Sequence, residues 1–346
     1  MKRLCSVLAM LALAATLSAQ EAAPKSSAPT NALPITAMTD GAIPVESDRN
    51  LFANGGLEAS AGGGSGPRGF SNFIGFLGNP LQNIDPRAIT EIYPIFGSAW
   101  TSEAGPLPHS NFQLYGAGLT VALSDRFAAG LNQGGFADVH LSKKDFDQLS
   151  RLFPDPRFRD VEMGGNRSGW LNLGGFFQYT LIADVENQLL FTAGLRWEAP
   201  CGSHEIFQGH GPAHLAPYIT YGKECGHFHV LGTVGYEFPA GPGSDTTNLF
   251  YANVHLDRQC FGWFYPLVEV NWTYHVTSVS PDQVVRRGFF DFDNFEGSGN
   301  IVVLAVGANA VLVRDKLELG GVYSTSLATQ RDFNLNGLLV RVTLKF

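Results

Sequence analysis

The sequence predicts an all-β chain: a closed antiparallel transmembrane β-barrel of about twelve strands, within a range of ten to fourteen, behind a flexible N-terminal leader. Three observations carry that expectation. Apolar and polar residues alternate with period two through most of the chain after residue 88. The connections between those stretches alternate between tight and long. Only 16% of the 346 residues are charged, yet mean hydropathy is +0.01. A soluble domain would carry roughly 25% charge, and a helical membrane protein would be far more apolar. The 40 glycines and 26 phenylalanines also argue against a disordered chain.

The first nineteen residues read as an export signal. Lys2 and Arg3 precede an apolar stretch from Leu4 to Leu17, and Ser18 and Ala19 supply a small-residue cleavage site near Gln20. The apolar stretch is short for a membrane span, and Cys5 lies too early for lipid attachment. Beyond residue 19 there are 21 Lys and Arg against 31 Asp and Glu. That acidic balance excludes nucleic acid as an expected partner. Cys201, Cys225 and Cys260 remain, too few for a disulfide framework.

Residues 20–87 read as a leader rich in Ala, Pro, Ser and Gly, ending its low-complexity part in AGGGSGPRG. Within it, 70–80 is plug-like. Phe70, Phe73, Ile74, Phe76 and Leu77 form a short apolar cluster stopped by Gly78-Asn79-Pro80. A docking segment is the plainer reading of this cluster; a gate is the sharper one.

The barrel is expected over 88–346. Its strands are predicted at 88–100, 111–123, 127–138, 169–182, 188–199, 215–222, 227–238, 248–257, 261–276, 300–313, 316–327 and 335–346. The last is the clearest, with Leu338, Val340, Val342, Leu344 and Phe346 on one face and Arg341, Thr343 and Lys345 on the other. Connections after even-numbered strands are tight, whereas 139–168, 200–214, 239–247 and 277–299 are long. A Greek-key sandwich has no reason to keep that alternation. An even strand number puts both ends of the barrel on the short-turn rim. Aromatics near strand ends, among them Trp100, Trp170, Trp197, Tyr236, Trp272 and Tyr274, would form interfacial girdles. Pro94, Pro217 and Pro266 each remove a ladder hydrogen bond, which bulges would accommodate.

The alternating final strand, with Val342, Leu344 and a terminal Phe346, looks like the assembly signal of Gram-negative outer-membrane β-barrels. The resemblance covers roughly 88–346. DPRAITEIYPIF, LAPYITYG and FYPLVEVNW look similar to exported barrel proteins of uncharacterised function. VALSDRFAAGL is more loosely similar to barrel transporters for fatty acids and aromatic compounds. The resemblance implies a location in the outer membrane. It implies as partners outer-membrane lipid, lipopolysaccharide, the barrel-assembly machinery and an unidentified small solute.

If the apolar faces meet lipid, the other faces define the lumen. Its expected lining is Arg196, Glu198, His227, His229, Glu237, Asn253, His255, Glu269, Asn271, His275, Glu318, Arg341 and Lys345. The mixed charge signs impose no strong ion selectivity. Twelve strands fall between small filled barrels and wide porins, so an open pore and a plugged one are both consistent with the length.

Other constellations are weaker. Cys201, His204, His210 and His214 carry metal-ligating atoms, but their spacing matches no regular zinc pattern, and a polar loop is the plainer reading. Asp291, Asp293 and Glu296 would suit calcium only with an oxygen ligand where Phe295 stands. Cys225 and Cys260 fall in neighbouring turns, within reach of a disulfide if their Cα atoms approach to about 7 Å, and otherwise as independent thiols. Ser142 and Asp145 have capping-box spacing for a short helix in the longest loop. One outer-membrane phospholipase family places His and Ser two positions apart on one strand face. Here His109 and Ser110 are adjacent, on opposite faces, so no enzyme is expected. Neither a metal nor a cofactor is assigned. The expected function is a passive or gated channel for small, moderately apolar molecules. The alternatives are a non-transporting structural or surface-binding barrel using the long loops, and a secreted soluble β-protein.

Overall fold

The structure, a computed structural model, describes residues 69–101, 110–141, 165–206, 208–209, 211–241, 248–276, 299–329 and 335–346. Fourteen strand segments form one antiparallel sheet that closes on itself. They are β1 (Glu91–Thr101), β2 (Asn111–Ala122), β3 (Phe127–Gln133), β4 (Gly135–Leu141), β5 (Gly165–Trp170), β6 (Leu173–Asp184) and β7 (Leu189–Ala199). There follow β8 (Ala213–Cys225), β9 (Phe228–Ala240), β10 (Leu249–Arg258), β11 (Phe264–His275), β12 (Gly299–Val313), β13 (Leu317–Thr329) and β14 (Leu335–Lys345). Closure is made by β1, which pairs with β14 on one edge, Phe96 opposite Val340, and with β2 on the other, Phe96 opposite Tyr115.

Fourteen segments make twelve staves because two staves are interrupted. β2 pairs with β3 through Val121–Ala129 and with β4 through Phe112–Val139, so β3 and β4 are one stave broken at Gly134. Its neighbour breaks at Leu171 and Asn172, with β5 pairing to β4 and β6 to β3. The stretches 127–138 and 169–182, expected as unbroken strands, are therefore each divided. At the first break Gly135 takes φ +148°, and a side chain there would strike the Tyr115 carbonyl. At the second, the Asn172 amide N–H donates to Gln208 Oε1 (2.9 Å) and its side chain to Glu198 Oε1 (2.8 Å), replacing ladder bonds.

The prolines are accommodated without the expected bulges. Pro94 stays in register with Ala117 of β2, while pairing to β14 lapses between Ile92 and Ile95 on an unchanged register. Pro217 likewise faces Leu195 of β7, while pairing to β9 lapses between Leu215 and Tyr218. Each proline forfeits hydrogen bonds to one neighbour only.

Burial inverts the pattern of a soluble protein. Ile92, Phe96, Leu119, Phe177, Leu195, Val306 and Leu319 are exposed, whereas Arg196, His229, His255, Glu237 and Glu269 are at most 1% exposed. Charged groups inside and aliphatics outside are stable only if the outside is not water. Trp100, Trp170, Tyr236 and Tyr274 are exposed on the outer surface. His227 departs from the expected lining: it sits exposed in the turn between β8 and β9, where Gly226 takes φ +65°. Among the described residues, no helix is long and apolar enough to cross a membrane.

Several glycines acquire a specific role. Tyr93, Tyr218 and Tyr251 lie inside the barrel directly opposite Gly118, Gly194 and Gly235 on neighbouring strands. A Cβ on any of these glycines would fall within the facing ring. The tyrosines cover bare backbone and lie flat, which leaves the centre of the lumen to another segment.

Candidate functional site: a lumenal segment and its polar cradle

Residues 69–90, just before β1, occupy the barrel interior. The segment enters at the short-turn rim. Gln188 Nε2 donates to the Gly69 carbonyl (2.9 Å), Arg314 to Ser71 Oγ (3.1 Å), and Asn72 Nδ2 to Glu224 Oε1 (3.3 Å). It rises through Phe70, Phe73, Ile74, Phe76 and Leu77, all at most 2% exposed, and turns at Asn79. There φ is +46°, and the Asn83 amide N–H donates back to the Asn79 carbonyl (3.1 Å). It then descends to Thr90 and runs into β1. The lumenal segment thus extends beyond the 70–80 stretch singled out in the sequence.

The apolar side chains of the rising arm divide between two patches of wall. Ile74 and Leu77 pack with Tyr265, Leu267, Ala305 and Val322; Phe70, Phe73 and Phe76 pack with Leu190 and Leu231. Burying each such side chain contributes about 1.5–3 kcal/mol.

The descending arm is held by a row of small polar residues that crosses six strands at one level. Thr180, Thr192, Thr220, Thr233, Asn253 and Asn271 stand directly opposite one another from β6 to β11. Thr192 Oγ1 donates to the Pro86 carbonyl (2.6 Å) and Thr220 Oγ1 to the Ile84 carbonyl (3.1 Å). Asn253 Nδ2 donates to Asn83 Oδ1 (2.7 Å), and Asn83 Nδ2 to Asn271 Oδ1 (2.8 Å). Above β6's threonine, Gln178 Nε2 donates to the carbonyls of Asp85 (2.9 Å) and Arg87 (3.1 Å). The wall therefore satisfies main-chain groups that have no strand partner.

The expected lumenal residues form four ionic or polar groupings. Glu269 accepts from the backbone N–H groups of Leu77 (2.8 Å) and Gly78 (2.7 Å), at the top of the rising arm. A chain of buried groups leads away from it: His255 Nδ1 to Glu269 (2.7 Å), His255 Nε2 to Asp257 (3.0 Å), and His229 Nδ1 to Asp257 (2.6 Å). Phe76 and Phe73 lay their rings near His255 and His229, with centroids 5.5 and 5.3 Å apart. Both ring nitrogens of His255 thus lie within hydrogen-bond distance of a carboxylate oxygen.

Farther along β9, Glu237 pairs with Arg196 of β7 and also faces His214 Nδ1 at 3.1 Å. Glu318 pairs with Lys345 and accepts from Asn309 (3.0 Å). Arg341 donates to the Phe76 carbonyl and lies over the Tyr93 ring at 5.5 Å. Within the lumenal segment, Arg87 binds Asp85 through Nε (2.9 Å) and a second guanidinium nitrogen (2.6 Å). Burial opposes charge on Asp85, but the Arg87 guanidinium more than offsets it and holds the carboxyl below its usual range.

Asp85, Arg87, Asp257, Gln178 and the threonine row were absent from the sequence-derived lumenal set. The row had a usable signal. Tight turns fix register, and the turn at Gly226 alone places Thr220 opposite Thr233. The side chain of His275 lies outside the described residues, as do His109, His210, Ser142, Asp145, Asp291, Asp293 and Glu296. Cys201 and His204 are exposed, and the His214 ring is directed to Glu237. Among the described residues no three His, Cys, Asp or Glu side chains are grouped to hold a metal. Cys225 and Cys260 are independent thiols. At the terminal strand, Leu344 and Phe346 face outward, and the Phe346 N–H donates to the Thr90 carbonyl (3.0 Å), tying the chain end to the start of β1.

No family model matches the chain, and no curated protein matches it. Solved structures do. An outer membrane channel from Pseudomonas putida F1 aligns at 14% identity and TM-score 0.52, over 78% of this chain and 98% of that one. The NanC porin aligns at 10% identity and TM-score 0.42, over 73% and 98%. The transport unit of the autotransporter AIDA-I from Escherichia coli aligns at 10% identity and TM-score 0.43, over 80% and 95%. At these identities the likeness is one of fold, and with the Pseudomonas putida channel this chain shares the closed β-barrel.

Proposed function

We propose that the chain is an outer-membrane conduit for small, moderately apolar solutes, closed by residues 69–90 and opened by their displacement. The observation that supports this reading is the way the interior is filled. A separate segment, held to the wall by the hydrogen bonds described above, occupies the centre of a lumen wider than the roughly eight-stranded interior that strand side chains fill alone. The location is inferred from the apolar exterior, the export signal and the terminal strand. The same features point to outer-membrane lipid, lipopolysaccharide and the assembly machinery as partners.

Energetics set how the gate behaves. A buried hydrogen bond contributes about 1 kcal/mol, and one to a charged group about 1.5–3 kcal/mol. Five buried apolar side chains on the rising arm outweigh any one of them. No single polar substitution should therefore free the segment, but each should shift its occupancy. Glu269→Gln keeps the side-chain shape while removing the charge that accepts from Leu77 and Gly78. Its expected effect is a rise of about tenfold in open-state occupancy, corresponding to about 1.4 kcal/mol. Bilayer recordings of the wild type and the variant check this, with an unchanged open fraction as the contrary result.

One observation favours a closed structural barrel instead. The Arg196–Glu237 and Glu318–Lys345 pairs bridge strands within the interior. Solute-impermeable liposomes containing correctly folded protein, with or without the lumenal segment, would select that reading.

A further inference from the structure

The geometry points to a binding chamber above the tip of the lumenal segment, for a small uncharged ligand with an apolar body and a neutral hydrogen-bonding group. This deepens the conduit reading and rests on it only for the ligand's onward route. Asn79, Pro80 and Leu81 form the floor of a cavity of about 140 Å³. That is the scale of an engineered cavity, roughly 150 Å³, that takes up benzene.

The lining differs from the rest of the interior. Phe112 and Leu114 of β2, Val303 of β12 and Leu339 of β14 contribute to its apolar wall. None of the described residues lining the chamber is charged, although the same lumen holds Asp85, Arg87, Glu91, Arg196, Glu237, His255, Asp257, Glu269, Glu318 and Arg341 in buried positions. Bringing an ion into such a chamber would strip its hydration without offering a counter-charge.

The polar groups of the lining are neutral: among them are the amides of Gln133, Gln208 and Asn336 and the hydroxyls of Ser98 and Ser324. Amides and hydroxyls both donate and accept. A neutral amide or alcohol of about benzene size can exchange hydrogen bonds with such a lining while its body covers Phe112 and Leu114.

The experiment is equilibrium dialysis of the folded full chain in detergent, against protein-free micelles, with three probes of equal size: benzamide, benzoate and benzylammonium. Benzamide should bind, with both ions weaker by at least about tenfold. Leu114→Trp, which fills the chamber without touching the lumenal segment's hydrogen bonds, should abolish benzamide binding. Val303→Phe, which narrows the chamber from β12, should weaken it about three- to tenfold. Heat-modifiable gel mobility confirms folding of both variants. Equal binding of the three probes, no benzamide binding, or binding that survives Leu114→Trp each overturns the chamber. Permeation without benzamide binding would remove the chamber and leave the conduit standing. Chamber-dependent binding without permeation would do the reverse.

Discussion

Deletion of residues 20–80 should convert a nearly closed barrel into a conducting one, with an increase in liposome permeability of more than about tenfold. The deletion removes the rising arm and the turn at Asn79, and with them Phe70, Phe73, Ile74, Phe76 and Leu77, all buried in the lumen. Together these contribute on the order of 10 kcal/mol of apolar burial, far more than any single latch. The wall should survive, because the deletion removes no strand pairing and β1 still closes on β14. What remains inside is the descending arm, two apolar wall patches around Leu190 and Leu267, and a large polar surface that includes the threonine row, Glu269, His255 and Arg341. Such a surface admits water, which the phenylalanines exclude. Permeability that stays at the empty-liposome level, in a variant that folds, would show that the segment is not what closes the barrel.

Arg196→Ala should destabilise the barrel by about 3–5 kcal/mol. Arg196 is 1% exposed and paired with Glu237, itself 1% exposed and shared with His214. Removing the guanidinium leaves the Glu237 carboxylate buried without its cation, and water reaches it poorly. Arg196→Met combined with Glu237→Leu removes both charges and should recover most of that loss, since a buried ion pair often adds little net stability over apolar residues of similar size. Equilibrium unfolding in urea with lipid vesicles measures both. Equal stability of the single and double variants would show that the cost lies in packing around the arginine stem and not in the orphaned charge.

The fold was legible in the sequence for a physical reason: lipid outside and polar groups inside force strict alternation, and alternation survives in single residues. Leu338, Val340 and Leu344 reveal their strand almost unaided. All twelve predicted stretches find a strand, most with ends displaced by three residues or fewer. The breaks at Gly134 and at Leu171–Asn172 were hidden because they depend on cross-strand partners, not on local pattern. His227 misled because the strand was started one residue early, in a turn that presents the ring to solvent.

The site was less legible. Arg196, Glu237, His255, Glu269 and Arg341 were readable as inward-facing, since the face follows from parity. Their partners were not, because pairing depends on stagger between strands. The lumenal segment posed the opposite difficulty. Phe70 to Leu77 announces burial, but Ile84, Pro86 and Arg87 carry no periodicity, as their main chain is satisfied by side chains of the wall. Thr180, Thr192, Thr220 and Thr233 look like ordinary strand residues until register aligns them into one row.

The central claim is that residues 69–90 close the lumen from within and move when it opens. Its most direct measurement is labelling of Leu77→Cys by a membrane-impermeant thiol reagent, in protein whose Cys201, Cys225 and Cys260 are replaced by serine. Leu77 is 1% exposed. The expected result is slow labelling in that background, accelerated by Glu269→Gln in proportion to the rise in conductance. Rapid labelling of the closed protein, or conductance that rises while labelling stays slow, would contradict it.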